Sequence, residues 1–210
     1  FGQLASGVAR GADEAGLVVT IAITERDPQR EVSLVRALRG QRPRGLILAA
    51  SRTTGPDAVG LDPELEAFQS MGGQVVMLGP APTGIRSVAV DNVGGARALA
   101  TRLRDLGYDE AIIIGAREGI QTSDDRIDGF TRGFTADGGR IRDVVRCGFT
   151  RDAGYDATET LLAGEVPTGT VIFGISDVVA IGVMSAVRDA GREVGTDIAE
   201  AITASENNTI

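Results

Sequence analysis

The sequence predicts an α/β protein built as two parallel-sheet subdomains. Three observations lead there. Short apolar runs alternate with amphipathic stretches of helical period along nearly the whole chain, which is the pattern of parallel strands joined by crossover helices. The number of such units is high for one sheet in 210 residues, so two sheets account for it better. The halves join near Asp91 without a long linker, so crossing strands must connect them closely and can serve as a hinge.

The elements follow in order. Phe1 to Ala15 carries Leu4, Val8 and Ala12 at helical spacing and stops at Gly16. Leu17 to Thr24 is rich in β-branched residues and reads as a strand. Asp27-Pro28 opens a helix with Val32, Val35 and Leu38 on one face. Gly45 to Ala50 reads as a buried strand, and Ser51 to Asp62, full of Gly, Pro, Ser and Thr, as a loop. Pro63 to Met71 is a helix stopped by Gly72-Gly73, Gln74 to Leu78 a strand broken by Pro80 and Pro82, and Val88 to Val90 a short strand.

The next helix carries Val93, Ala96, Ala100, Leu103 and Leu106 on one face. Asn92 stands where a side chain can cap its first turn, and Gly107 where a left-handed C-terminal cap needs no Cβ. Ala111 to Gly115 is a continuous apolar run, as a strand covered on both faces requires. The alternation continues with helix Ser123–Phe134, strand Val144–Phe149, helix Asp152–Ala163, strand Thr170–Phe173, helix Ser176–Ala190 and a final strand Ile198–Ile202. The predicted division is residues 1–91, residues 92–199, and a tail or return segment at 200–210.

Composition excludes several chemistries. The net charge is −8, and all 21 cations are arginine. An acidic chain without a cationic cluster is not itself a nucleic-acid-binding surface. The chain has no histidine, which removes Ser-His-Asp and Cys-His nucleophilic sites and most transition-metal sites. The lack of lysine removes the P-loop and Schiff-base chemistry. No cofactor is expected. The single cysteine, Cys147, reads as a small buried thiol in a strand. Asp124 and Asp125 are adjacent, so on a helix they diverge by about 100° and make no acid/base pair. No apolar run approaches the length of about 18 residues that a membrane span needs.

The stretch V-x-V-D-N-x-x-G-(G/A)-x-x-A-x-x-L-x-x-L-G-Y-x-x-I-x-x-I-G, from Val88 to Gly115, resembles the crossover between subdomains in the LacI/GalR family of bacterial transcription regulators. Transporter sugar-binding proteins share that fold. The resemblance covers nearly the whole chain, from Phe1 to about Ala199. It implies two Rossmann-like lobes of the periplasmic binding protein type I kind, with a ligand held in the cleft between them. It implies a small polar effector, most often a sugar. It also implies a cytoplasmic homodimer, and operator DNA bound through an N-terminal helix-turn-helix domain absent from this chain. An exported sugar-binding receptor of an ABC transporter is the alternative. Members carry a central strand ahead of the helix that opens here at Phe1, so the intact protein is expected to extend upstream. After Ala199 the text departs from the family's Gly-Phe-Asp-type loop.

Ligands of parallel sheets sit beyond the carboxyl ends of the strands, which selects a small set of candidates. Arg126, in Arg-Ile-Asp-Gly-Phe130, can fork onto two ligand oxygens; the alternative is a surface arginine paired with Asp124, Asp125 or Asp128. The resemblance implies the first, since the family's Arg-x-x-Gly-Phe arginine contacts effector. Asp177 can accept from ligand hydroxyls or simply favour the helix dipole. Ser176 stands where the family usually has asparagine. Phe149 can stack on a sugar face or pack in the core. Ser51 with Arg52, and Asp91 with Asn92, offer polar contacts at two further strand ends. The alternatives are a turn for the first pair and a helix cap for the second, and for Asn92 the cap is favoured. Phe1 can line the cleft if a strand precedes it directly.

Overall fold

In the first sheet Gln74–Leu78 (β2) lies between Gly45–Ala49 (β1) and Arg86–Val88 (β3), every pairing parallel. The computed structural model describes residues 2–25, 27–49, 60–79 and 81–202. The second sheet has the order β5-β4-β6-β7 and is again parallel throughout. Its strands are Glu110–Ala116 (β4), Arg140–Cys147 (β5), Thr170–Gly174 (β6) and Ile198–Ile202 (β7). The helices are Gly2–Glu14 (α1), Pro28–Gly40 (α2), Leu61–Ser70 (α3), Asn92–Asp105 (α4), Gln121–Thr135 (α5), Arg151–Leu162 (α6) and Asp177–Asp189 (α7).

Two separate apolar cores form. One gathers Val32, Val35, Leu61, Leu65, Phe68, Val75 and Met77 under α2 and α3. The other is larger and centres on Ile112–Ile114, Val171–Phe173, Phe130 and Phe134. Each sheet thus has its own core, as two subdomains require.

β4 is buried along nearly its whole length and β6 along all of it, so their uninterrupted apolar text matches a strand covered on both faces. From β4 the chain crosses through α5 to β5 on one side, then returns through α6 to β6 on the other. Right-handed crossovers of opposite direction put α5 and α6 on opposite faces of the sheet. Helix α4 packs on α5, and α6 packs on α7. Both pairs approach so closely that backbone meets backbone. A Cβ on Gly129 would fall 2.2 Å from the Val93 carbonyl oxygen, and one on Gly182 would fall 2.1 Å from that of Arg151. Only glycine fits these crossings.

Helix ends follow their text. Asp27 caps α2 by accepting from the Gln29 and Arg30 amides. Thr150 caps α6 by accepting from Ala153. At the end of α4, Gly107 adopts φ +92°, its amide donates to the Arg104 carbonyl and that of Tyr108 to the Leu103 carbonyl. These are the two bonds of a Schellman motif.

Several expectations are corrected. Leu17–Thr24 forms no strand: among the described residues nothing pairs with it, and Val18, Ile21 and Ile23 are exposed. Branched side chains favour extended backbone, but a strand exists only within a ladder. β1 is not buried throughout, since Ile47 is 48% exposed. The short strand lies at Arg86–Val88, two residues earlier than Val88–Val90, because its register on Val76–Leu78 sets it there. Leu106 belongs to the α4 cap and is 58% exposed rather than part of the buried face. The α4 cap itself is Asp91, not Asn92: the Asp91 carboxylate accepts from the Gly94 amide at 2.8 Å.

Candidate functional site

The site is built where the strand order reverses. β5 lies on one side of β4 and β6 on the other, so the loops leaving β4 and β6 part toward opposite faces, and this switch point at their carboxyl ends is where ligands of such sheets bind. The N-termini of α5 and α7 both open there.

Arg126 bridges two elements at this switch point. Its Nε donates to Asn92 Oδ1 at 2.9 Å and its Nη1 donates to the Ile175 carbonyl at 2.8 Å. The first partner begins α4; the second is the residue just past β6. Arg126 is only 7% exposed. Burial pushes its pKa down, and the charge of Asp177 at the start of α7 partly offsets that. The surface alternative for Arg126 is therefore overturned. Asp124 pairs instead with Arg146 at 2.5 Å and Asp128 with Arg132 at 2.9 Å.

The Arg-x-x-Gly-Phe spacing now has a physical reason. Gly129 lets α5 press onto α4, which brings Arg126 within reach of Asn92. Phe130 is fully buried and stacks on Phe173 of β6 at 4.2 Å between centroids and on Phe134 at 5.5 Å. One end of the motif anchors α5 in the core, and the other delivers a buried cation to the switch point.

The backbone around the cation is tied in by several bonds. The Ile175 amide donates to the Ile114 carbonyl at 3.0 Å while its own carbonyl receives Arg126. Past β4, the Ser123 hydroxyl accepts from the Ala116 amide at 3.0 Å and Asp124 accepts from Gly119 at 2.9 Å. Arg146 donates to both the Ala116 carbonyl and Asp124. Asp124 is thus tied into a fixed mouth and makes no acid/base pair with Asp125, whose carboxyl is raised by burial and by Asp124 and Asp128.

The remaining candidates divide. Asp177 is exposed in the first turn of α7, within the field of Arg126. Ser176 is the residue before α7, yet its hydroxyl makes no cap bond and lies buried without a partner among the described residues. A hydroxyl in that state gains from any group that pairs with it. Phe149 lies two residues beyond the end of β5, half-buried against the second core. Asp91 spends one carboxylate oxygen as the α4 cap and is otherwise exposed. Ser51, Arg52 and Phe1 lie outside the described residues. Cys147 is half-buried; its Sγ donates to the Gly148 carbonyl at 3.2 Å, and burial pushes the thiol pKa up. The Ile175 carbonyl and the pairing of Asn92 with Arg126 were missed by the sequence reading. A backbone acceptor leaves no mark in sequence, and Asn92 looks like a cap until α5 is placed beside it.

Among the described residues no group of three or more His, Cys, Asp or Glu could hold a metal ion. No helix among them is long and apolar enough to cross a membrane.

Residues 1–206 match the family described as periplasmic binding proteins and sugar binding domain of the LacI family. The chain is 29% identical over 206 residues to the HTH-type transcriptional regulator DegA of Bacillus subtilis, covering 94% of this chain and 58% of that protein. It is 25% identical to catabolite control protein A of Priestia megaterium, with 94% and 59% covered. It is 26% identical to the ribose import binding protein RbsB of Haemophilus influenzae, with 92% and 66% covered. The chain therefore spans less than two thirds of the length of these relatives. The fold matches a crystal structure of a LacI family transcriptional regulator from Silicibacter pomeroyi, with TM-score 0.79 at 21% identity, over 96% of this chain and 74% of that one. It matches one from Enterococcus faecium with bound ribose equally well, TM-score 0.79 at 19% identity, over 95% and 71%.

Proposed function

Because the chain belongs to the family of periplasmic binding proteins and LacI-type sugar-binding domains, we propose that it is the sugar-sensing core of a DNA-binding transcription regulator. The observation that carries this reading is Arg126: a buried guanidinium at a strand-order reversal, bonded to the Ile175 carbonyl next to Ser176 and within the field of the Asp177 carboxylate. A polyol offers adjacent hydroxyls that both donate and accept. An arginine and a carboxylate at neighbouring strand ends can satisfy both roles, and an aromatic such as Phe149 can cover an apolar sugar face. Among the described residues no nucleophile–base pair stands beside them, and the family is one of binding proteins.

The proposed mechanism is a population shift. Effector held between the two lobes, which meet near Asp91, favours one relative orientation and so alters how a homodimer presents its DNA-reading heads in the cytoplasm. Ser51 on the first lobe and Asp91 at the joint are the proposed partners from the other side of the ligand. The relatives named as regulators support this reading.

The likeness to a ribose import binding protein favours a second reading, an exported receptor for a transporter. Sequencing the codons upstream of Phe1 separates the two. A helix-turn-helix pattern with clustered arginines is expected. An apolar signal segment would overturn the regulator reading and make the chain a transport receptor.

A further inference from the structure

We propose that Asn92 is a positioning residue that ties Arg126 to the joint between the two sheets. Three consecutive residues make that joint. Asp91 has φ −74° and ψ 75°, and the Asn92 amide donates to the Val90 carbonyl at 2.8 Å. That is an inverse γ-turn. The Asn92 side chain then grips both ends of the connection. Its Nδ2 donates to the same Val90 carbonyl at 3.3 Å, and its Oδ1 accepts from Arg126 Nε at 2.9 Å. Arg126 passes the contact on to the Ile175 carbonyl, next to Ser176, the residue before α7.

The polar chain therefore runs from the covalent crossover, through one amide, to the guanidinium, and on to the loop that carries Ser176 and Asp177. β3 ends at Val88 and β4 begins at Glu110, so the turn at Asp91 is where the backbone leaves one sheet for the other. Any group that rotates or recruits the Arg126 guanidinium must strain or release the Asn92 amide, and with it the γ-turn. This gives the binding site a direct mechanical connection to the hinge without any displacement of the core. Asn92 is suited to this because its amide accepts with one atom and donates with the other; a carboxylate keeps the first bond and loses the second.

The inference rests on the sugar-binding reading for its purpose, but its test needs no sugar. Exchange of the Arg126 Nε–H and of the backbone amides is followed by NMR in the whole chain. In Asn92→Ala, Arg126 Nε–H exchange is expected to rise about tenfold or more, as loss of a bond to a charged donor requires. The Asn92 and Gly94 amides are expected to quicken with it. In Asn92→Asp, Arg126 Nε–H is expected to stay protected while the Asn92 amide at the turn still quickens. Unchanged Arg126 exchange in Asn92→Ala would overturn the proposal, and so would turn amides that keep parental exchange in Asn92→Asp. A sugar panel that gave no binding would count against the proposed function and leave this result standing.

Discussion

At the scale of single residues the central group is Arg126. Removing it strands an Asn92 amide oxygen and the buried Ile175 carbonyl together. Arg126→Ala is expected to destabilise the chain by about 2–4 kcal/mol in urea unfolding, well above the effect of losing a surface arginine. A cost below about 0.5 kcal/mol would mean the cross-brace is not formed in solution. Glu200 makes the second residue-scale case. Both its oxygens are buried without a hydrogen-bond partner among the described residues, and it sits on β7 opposite the fully buried Ile172. Burial raises its pKa from 4.5 to about 7, with Arg188 pulling the other way. The folded chain thus keeps a proton that the unfolded chain releases. The stabilisation is fully present below pH 4.5 and is lost as pH rises through about 7. Glu200→Gln, neutral at every pH, should therefore flatten the fall in stability between pH 5 and about 8 seen by denaturant titration. A variant that falls as steeply as its parent would place the pH dependence elsewhere.

At the scale of elements the second subdomain was the more legible half. β4 and β6 announce themselves because a strand buried on both faces needs no alternation, only an unbroken apolar run. The Gly107 stop was equally plain, because a left-handed cap leaves few alternatives to glycine. Leu17–Thr24 was misread because its branched residues report a local preference, whereas a strand is decided by a neighbour. Amides from Val18 to Ile23 should accordingly exchange orders of magnitude faster than those from Ala111 to Gly115, and equal protection would restore the strand. The helix pairs give a second test. Gly129→Ala and Gly182→Ala should each cost more than about 2 kcal/mol, because a Cβ meets fixed backbone carbonyls. Gly11→Ala, in α1 with nothing within 4 Å, should gain about 0.5–1 kcal/mol. Denaturant midpoints of the three variants check all of this, and a tolerated Gly129→Ala would mean that α4 and α5 lie further apart.

At the scale of the whole molecule, two parallel sheets with separate cores were readable from the count of strand–helix units. The site was readable only in part. Arg126 and Asp177 are proposed because strand ends select them, and the resemblance to the family's Arg-x-x-Gly-Phe motif marks the first of them. That Arg126 is internally braced was not readable, since one acceptor is a backbone carbonyl and the other a side chain 34 positions away. The brace changes what the proposed binding must do: a sugar oxygen at Arg126 would compete with, or add to, bonds already made, and the ligand would act on a clamp and not on a free cation. The most direct test is titration calorimetry of the chain, and of its Asp177→Ala variant, against pentoses, hexoses, cyclic polyols and sugar phosphates. We expect at least one of them to bind, with Asp177→Ala losing about 1.5–3 kcal/mol of that affinity. No binding across the panel, or binding that Asp177→Ala leaves unchanged, would contradict a sugar site at this switch point.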